Sequence, residues 1–212
     1  MTAAPRFRIY HAPGTRSMRI IWLCAELDEP LDVVAIDFGR DFRFSPAWLA
    51  RNPVGKVPAM DIDSMTMFES GAMVEAILDR VELARGARSP LRPAPGTDAS
   101  ALYLQWCWFA EATFARPLGD IAQHTRIKPT AERLPAVVED ASKRVRLCLD
   151  ATEARLADQE YLLPSGFSAA DIMMGYSMML ASNFGLLDAQ YPSSLAYFKR
   201  LAARPAYRAA TT

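Results

Sequence analysis

The hydrophobic period changes several times in the first part of the chain and then settles to a helical repeat. Phe7 and Ile9 alternate with Arg8 and Tyr10, which predicts a short strand. From Arg19 to Leu27, Ile20, Leu23, Cys24 and Leu27 fall on one side of a helix. Val33, Val34, Ala35 and Ile36 then form an unbroken apolar run, the pattern of a strand covered on both faces. A strand, a helix and a strand at this spacing make a right-handed β-α-β unit. After an irregular polar stretch come two short strand candidates, 57–62 and 65–68, with Asp63-Ser64 as the turn between them. Met73, Val74, Ile77, Leu78 and Val81 predict a closing helix.

The stretch Ser89-Pro-Leu-Arg-Pro-Ala-Pro-Gly96 holds three prolines and a glycine, and neither a helix nor a central strand survives that. It divides the chain into an α/β domain over 1–85, a linker over 86–97 and an all-helical domain over 98–212. In the helical part, Leu102, Trp106, Phe109 and Thr113 form one stripe over Ala101 to Phe114. Leu134, Val138, Ala141, Val145, Cys148, Thr152 and Leu156 form a longer one. Ser168-Ala-Ala-Asp171 has the form of a capping box opening a Met-rich helix. A last helix over 193–203 stops before Pro205.

Composition narrows the function. The 212 residues carry 24 Lys+Arg and 24 Asp+Glu, and neither half is a polyelectrolyte, so nucleic acid and anionic membrane are not expected as partners. The uncharged run 172–187 is short and holds Ser177, Ser182 and Asn183, which suits a buried helix and turn rather than a membrane span. No signal peptide is visible. Three cysteines (Cys24, Cys107 and Cys148) sit in apolar periodic segments with no C-x-x-C pair, the usage of buried thiols in a reducing cytoplasm. Two histidines are too few for an imidazole metal centre, and no metal is expected.

Four segments carry a resemblance that spans nearly the whole chain: Tyr10-His-Ala-Pro-Gly-Thr-Arg-Ser17, Asn52-Pro-Val-Gly-Lys-Val-Pro58, Phe68-Glu-Ser70 and Phe167-Ser-Ala-Ala-Asp171. Together they resemble the cytosolic glutathione transferase family, of the bacterial serine/threonine type with theta-, delta- or beta-like spacing. The resemblance implies a thioredoxin-like N-terminal domain, an all-α C-terminal helical bundle, a cytoplasmic homodimer and glutathione as co-substrate. It also implies a cis bond at Val57–Pro58, which frees the backbone of Val57 to pair with the tripeptide as an added strand. Ser70, with the helix amides behind it, and Glu69 suit the carboxylate and ammonium of the γ-glutamyl end. Lys56 and Arg43 suit the glycyl carboxylate, with Arg40 and Arg51 as alternatives to Arg43.

Glutathione chemistry needs a thiolate, which a hydroxyl donor, a helix N-terminus and nearby positive charge all favour. Thr15, two residues after Pro13, resembles the serine of the P-G-S loop in serine-type transferases. Ser17 is a second candidate donor or the cap of the first helix, and Tyr10, at the end of the first strand, is a third. Arg16 stands where the cysteine-type class has its cysteine, so chemistry through a protein thiol is not expected. The electrophile pocket is expected between the domains, lined by Tyr103, Trp106 and Phe109 with His11 as a polar contributor. The reaction implied is conjugation of the thiolate to apolar electrophiles. The alternatives are a glutathione-dependent peroxidase or disulfide reductase, and a non-catalytic transferase-like binding module.

Overall fold

The computed structural model describes residues 7–211. Four strands, β1 (Phe7–His11), β2 (Asp32–Ala35), β3 (Ala59–Ile62) and β4 (Met65–Phe68), form one sheet in the order β2-β1-β3-β4. β1 and β2 run parallel, while β1–β3 and β3–β4 are antiparallel. α1 (Met18–Leu27) is the crossover from β1 to β2, and α4 (Ser70–Arg85) follows β4 and packs on α1. Period-two alternation splits β1 between two faces. Phe7 and Ile9 are buried with Ile20, Leu23, Met73 and Ile77, whereas Tyr10 packs with Trp48, Val57, Phe38 and Phe42. That second cluster comes from the irregular stretch, which folds into two short helices, α2 (Arg40–Arg43) and α3 (Pro46–Leu49).

The strand at 32–35 differs from its expected burial. It is an edge strand with alternating exposure, Val33 being 44% exposed, because the order of the sheet leaves β2 one neighbour only. An apolar run alone does not tell a central strand from an edge strand.

By contact the chain falls into two units, one of residues up to Ser89 with those from Ala203 on, the other Pro90–Ala202. The second unit comprises α5 (Asp98–Trp108), α6 (Ala115–Ala122), α7 (Pro135–Leu156), α8 (Ala169–Asn183) and α9 (Pro192–Ala202). A π-helical stretch, Phe109–Phe114, joins α5 to α6. This wider register turns the helix face, so the buried positions are Tyr103, Trp106, Ala110 and Phe114, while Thr113 is exposed. The expected stripe through Phe109 and Thr113 assumed an unbroken α-helix. On α7, Ala141, Val145, Cys148, Thr152 and Leu156 are buried as their spacing predicts, although Leu134, just ahead of the helix, is exposed. The capping box of α8 is present: Asp171 Oδ2 accepts from the Ser168 N–H at 2.8 Å and hydroxyl at 2.9 Å. Its other oxygen accepts from the Leu162 N–H at 3.0 Å and the Tyr197 hydroxyl at 2.9 Å.

The chain does not end its helical structure at Pro205. Proline at the first turn opens α10 (Pro205–Thr211), which clusters with the first unit instead of the second. Arg204 holds it to α1 through a two-pronged ion pair with Glu26, at 2.6 and 2.7 Å, while Trp22 Nε1 donates to the same carboxylate at 2.8 Å. Tyr207 meets the fully buried Trp22 ring edge-on at 4.9 Å. Burial alone would raise the Glu26 carboxyl, but the hydrogen bonds from Arg204 and Trp22 and the guanidinium charge together hold it below its ordinary value. A depressed carboxyl stabilises the fold above the unfolded-state value of 4.5, and the gain fades as pH falls through the lower folded-state value. Glu26→Gln should therefore lower stability near neutrality by roughly 1–2 kcal/mol. In urea titrations the gap between parent and variant should close as pH falls below 4.5.

Candidate functional site

Strand register brings three distant segments together. The β1–β3 pairing ends with Tyr10 facing Ala59, so His11 and Ala12 leave the sheet at the end where Val57 and Pro58 enter it. The β3–β4 pairing ends with Ala59 facing Phe68, so Glu69 and Ser70 leave the sheet at that same end. The three segments meet at one end of the sheet, and Ala12, Val57 and Ala59 share one buried cluster.

The Val57–Pro58 bond is cis. The N–H and C=O of Val57 have no hydrogen-bond partner among the described residues. A backbone pair of this kind, at a strand end, can hydrogen-bond to an extended peptide. Asn52 shapes the approach to it. Its buried amide donates to the Lys56 carbonyl at 2.8 Å and the Pro58 carbonyl at 3.2 Å, and its oxygen accepts from the Val54 N–H at 3.3 Å. Gly55 closes the turn at φ +59°, where a Cβ would come within 3.0 Å of the Arg43 carbonyl and 3.1 Å of the Phe44 ring. Only glycine meets both demands.

Glu69 precedes α4 with φ +76° and makes no capping bond, so the first-turn amides of a sixteen-residue helix remain open to an anion. Ser70 is buried, and the fully buried Arg19 donates to its oxygen from Nη1 at 3.0 Å. That bond occupies an acceptor site on Ser70 and leaves the serine proton to be donated onward, with a positive charge behind it. The glutamate side chain is exposed beside this serine.

The loop before α1 holds the candidate donors. Thr15 Oγ1 donates to the Ala12 carbonyl at 2.7 Å and lies 2.8 Å from Ser17 Oγ, which in turn lies 2.7 Å from His11 Nδ1. Ser17 is fully buried, whereas Thr15 and His11 are half-buried. Ser17 stands at the head of α1, but its side chain forms no capping bond, because its oxygen is engaged by His11 and Thr15. Burial lowers the His11 pKa from its ordinary value. Tyr10 belongs to a different network: its hydroxyl donates to Asp61 at 2.9 Å beneath the Arg51 guanidinium. Burial and the bond to Asp61 raise the phenol pKa, so Tyr10 keeps its proton and directs it at that carboxylate.

Lys56 is exposed on the turn. Arg43 lies against the Phe38 ring at 4.7 Å and the Phe44 ring at 5.5 Å, and Nε donates to the Gly55 carbonyl at 2.7 Å, which sets its two Nη groups at the same turn. Arg51 is paired with Asp61 at 3.0 Å, away from the turn. Burial pushes the thiol of Cys24 up to about 12 and that of Cys148 to about 11, so neither offers a thiolate near neutrality. In the second unit Tyr103 and Trp106 are buried and Phe109 is half-buried, with the Trp106 and Phe109 rings 5.2 Å apart. The Trp106 indole N–H has no hydrogen-bond partner among the described residues.

Sequence reasoning did not assign roles to Asn52 or to the Arg19–Ser70 bond. The loop motif that contains Asn52 marks a tight turn, yet which carbonyls its amide bonds follows only from the folded loop. Arg19 interrupts an apolar helix stripe, the usual mark of a buried charge with a purpose.

Comparison with known proteins places these features in context. The family sequence model described as "Glutathione S-transferase, N-terminal domain" matches residues 5–78, and "Glutathione S-transferase, C-terminal domain" matches residues 118–205. The chain is 31% identical to Glutathione S-transferase 4 of Zea mays over 167 residues, covering 76% of this chain and 71% of the relative. It is 26% identical to a probable glutathione S-transferase, GSTF1, of Oryza sativa over 205 residues, covering 93% and 91%. Among solved structures, glutathione transferase URE2P6 of Phanerochaete chrysosporium, in complex with oxidized glutathione, shares the fold with a TM-score of 0.84. It is 24% identical, and the match covers 98% of this chain and 95% of that one. The two sequence relatives are plant proteins; they speak for the family and not for a theta-, delta- or beta-like subtype.

Asn52→Ala should destabilise the first unit by about 1–3 kcal/mol, since two carbonyls lose their donor. It should also weaken retention on immobilised glutathione. Denaturant titration measures the first effect and column binding the second.

Proposed function

The chain belongs to the glutathione S-transferase family, and we propose that it is an enzyme in which glutathione lies along the Val57 backbone while its thiolate attacks apolar electrophiles. The observation that carries this reading is the N–H and C=O of Val57, without a hydrogen-bond partner among the described residues, at the end of the sheet where the loop of Thr15 and the head of α4 also begin. A peptide backbone fits there as an added strand. The γ-glutamyl carboxylate meets the Ser70 hydroxyl and the first amides of α4, and the ammonium meets Glu69. Lys56 and the free Nη groups of Arg43 take the glycyl carboxylate. This charge order matches the tripeptide from end to end and needs no metal.

Thr15 is the proposed donor to the sulfur. Of the three candidates, Tyr10 donates its hydroxyl hydrogen bond to the Asp61 carboxylate, and Ser17 is fully buried. Thr15 alone combines a hydroxyl, partial exposure and a place one turn ahead of α1, whose N-terminal dipole adds to the stabilisation of an anion. The rate then comes from holding an ionised thiol near its target, without a covalent enzyme intermediate. Tyr103, Trp106 and Phe109 are assigned to apolar contact with the electrophile. A cytoplasmic homodimer belongs to the same proposal, with Met65 and Phe68 on the exposed edge of β4 as apolar surface available to a second copy.

Thr15→Val should raise the thiol pKa of bound glutathione by about one unit, a tenfold fall in thiolate near neutrality, with little change in affinity. Ultraviolet titration of the complex reads this directly; an unchanged thiolate band would remove Thr15 from the role. Ser70→Ala should instead weaken glutathione binding by about five- to twentyfold and leave the thiol pKa in place. Turnover of an activated aromatic halide is expected. Turnover of a hydroperoxide or a mixed disulfide alone would change the reaction class, and failure to bind glutathione would leave a non-catalytic module.

A further inference from the structure

His11, Ser17 and Thr15 form a chain of short contacts whose protons can be counted. Three gaps need filling: His11 Nδ1 to Ser17 Oγ at 2.7 Å, Ser17 Oγ to Thr15 Oγ1 at 2.8 Å, and Thr15 Oγ1 to the Ala12 carbonyl at 2.7 Å. The carbonyl only accepts, so the Thr15 proton fills the last gap. Ser17 must then give its proton to Thr15, for otherwise two hydroxyl oxygens would face each other at 2.8 Å with nothing between them. The first gap can now be filled only by a proton on His11 Nδ1. The reverse direction, Thr15 to Ser17 to His11, leaves the 2.7 Å contact with Ala12 without a proton. Ser17 Oγ is itself 3.4 Å from that carbonyl, too far to replace the short bond.

From this count we infer that His11 is a positioning residue, which acts through Ser17 to aim the Thr15 hydroxyl. The proposal rests on the reading that Thr15 donates to the glutathione sulfur. With Ser17 donating to the Thr15 oxygen, the Thr15 proton cannot turn back towards Ser17. It has two places to go, the Ala12 carbonyl or an incoming anion. Each donor in the chain also polarises the next, by about 10–30% per bond, and makes the final hydroxyl a stronger donor. His11 therefore has a task in the first unit distinct from lining an electrophile pocket. Ser17, at the head of α1, is a relay in place of a helix cap. No proton is transferred to His11 in this scheme; the histidine holds a direction.

Two measurements test the proposal. In the ligand-free protein, heteronuclear NMR of the imidazole should show neutral His11 protonated at Nδ1; the Nε2–H tautomer would overturn the inference. For bound glutathione, His11→Phe and Ser17→Ala should each cut the thiolate fraction near neutrality by about three- to tenfold, with unchanged affinity for glutathione. The double variant should be no worse than the poorer single one, because both break one chain. His11→Asn, whose amide can place an N–H where Nδ1–H was, should restore most of the loss. Independent, multiplying losses, or no loss in either single variant, would sink the relay. Thr15→Val separates the two levels. If it lowers the thiolate while His11→Phe and Ser17→Ala do not, the relay fails and the donor stands. If Thr15→Val has no effect, the donor reading fails and takes the relay with it.

Discussion

Antiparallel pairing of β1, β3 and β4 is the constraint on which the site depends. Each pair fixes which residues lie opposite one another, and a one-residue slip would turn every side chain to the wrong face. Buried Ile9, Met60 and Ile62 hold that register from within the core. Once it is held, the three segments that follow the strand ends have no choice but to converge: His11 and Ala12 after β1, Val57 and Pro58 before β3, Glu69 and Ser70 after β4. The candidate site is where the sheet stops, and the Val57 N–H and C=O have no hydrogen-bond partner among the described residues there.

Around that site the chain spends its buried polar groups on direction. Arg19 is wholly inside the first unit, where an unpaired charge would be strongly unfavourable, and its bond to Ser70 turns that penalty into an oriented hydroxyl. Asn52 does the same for the turn, with one side chain fixing the Lys56 and Pro58 carbonyls and the Val54 amide. Ser17 is fully buried, with its hydroxyl engaged by His11 and Thr15. Each of these groups is tied by hydrogen bonds within the first unit, so its direction is set by the fold itself.

Charge is used locally. The net charge is zero, and the positive groups around the candidate site are Arg19 behind Ser70, with Lys56 and Arg43 at the turn. The aromatic rings under Arg43 cover part of its guanidinium and keep it pointing at Gly55. The two thiols buried deepest, Cys24 and Cys148, are pushed out of the reactive range.

The order of elements could be read from the sequence because hydrophobic period reports local geometry: alternation in β1, helical stripes in α1, α4 and α7, proline-dense punctuation between the units. The motif residues from Tyr10 to Ser17, Asn52 to Pro58 and Glu69-Ser70 could be read as well, through their resemblance to the glutathione transferase family. What needed the tertiary structure was every property set by neighbours from elsewhere in the chain. The exposure of Val33 depends on β2 having one partner, and the switch of core face at Phe109 on a π-helical turn. The helix after Pro205 belongs with α1 because Glu26 and Trp22 receive it. The same holds for the hydroxyls: sequence offered Tyr10, Thr15 and Ser17 as equals in kind, and only folding put Asp61 on the first and His11 on the third. Periodicity is a property of a segment, whereas burial, pairing and the direction of a proton are properties of the space between segments.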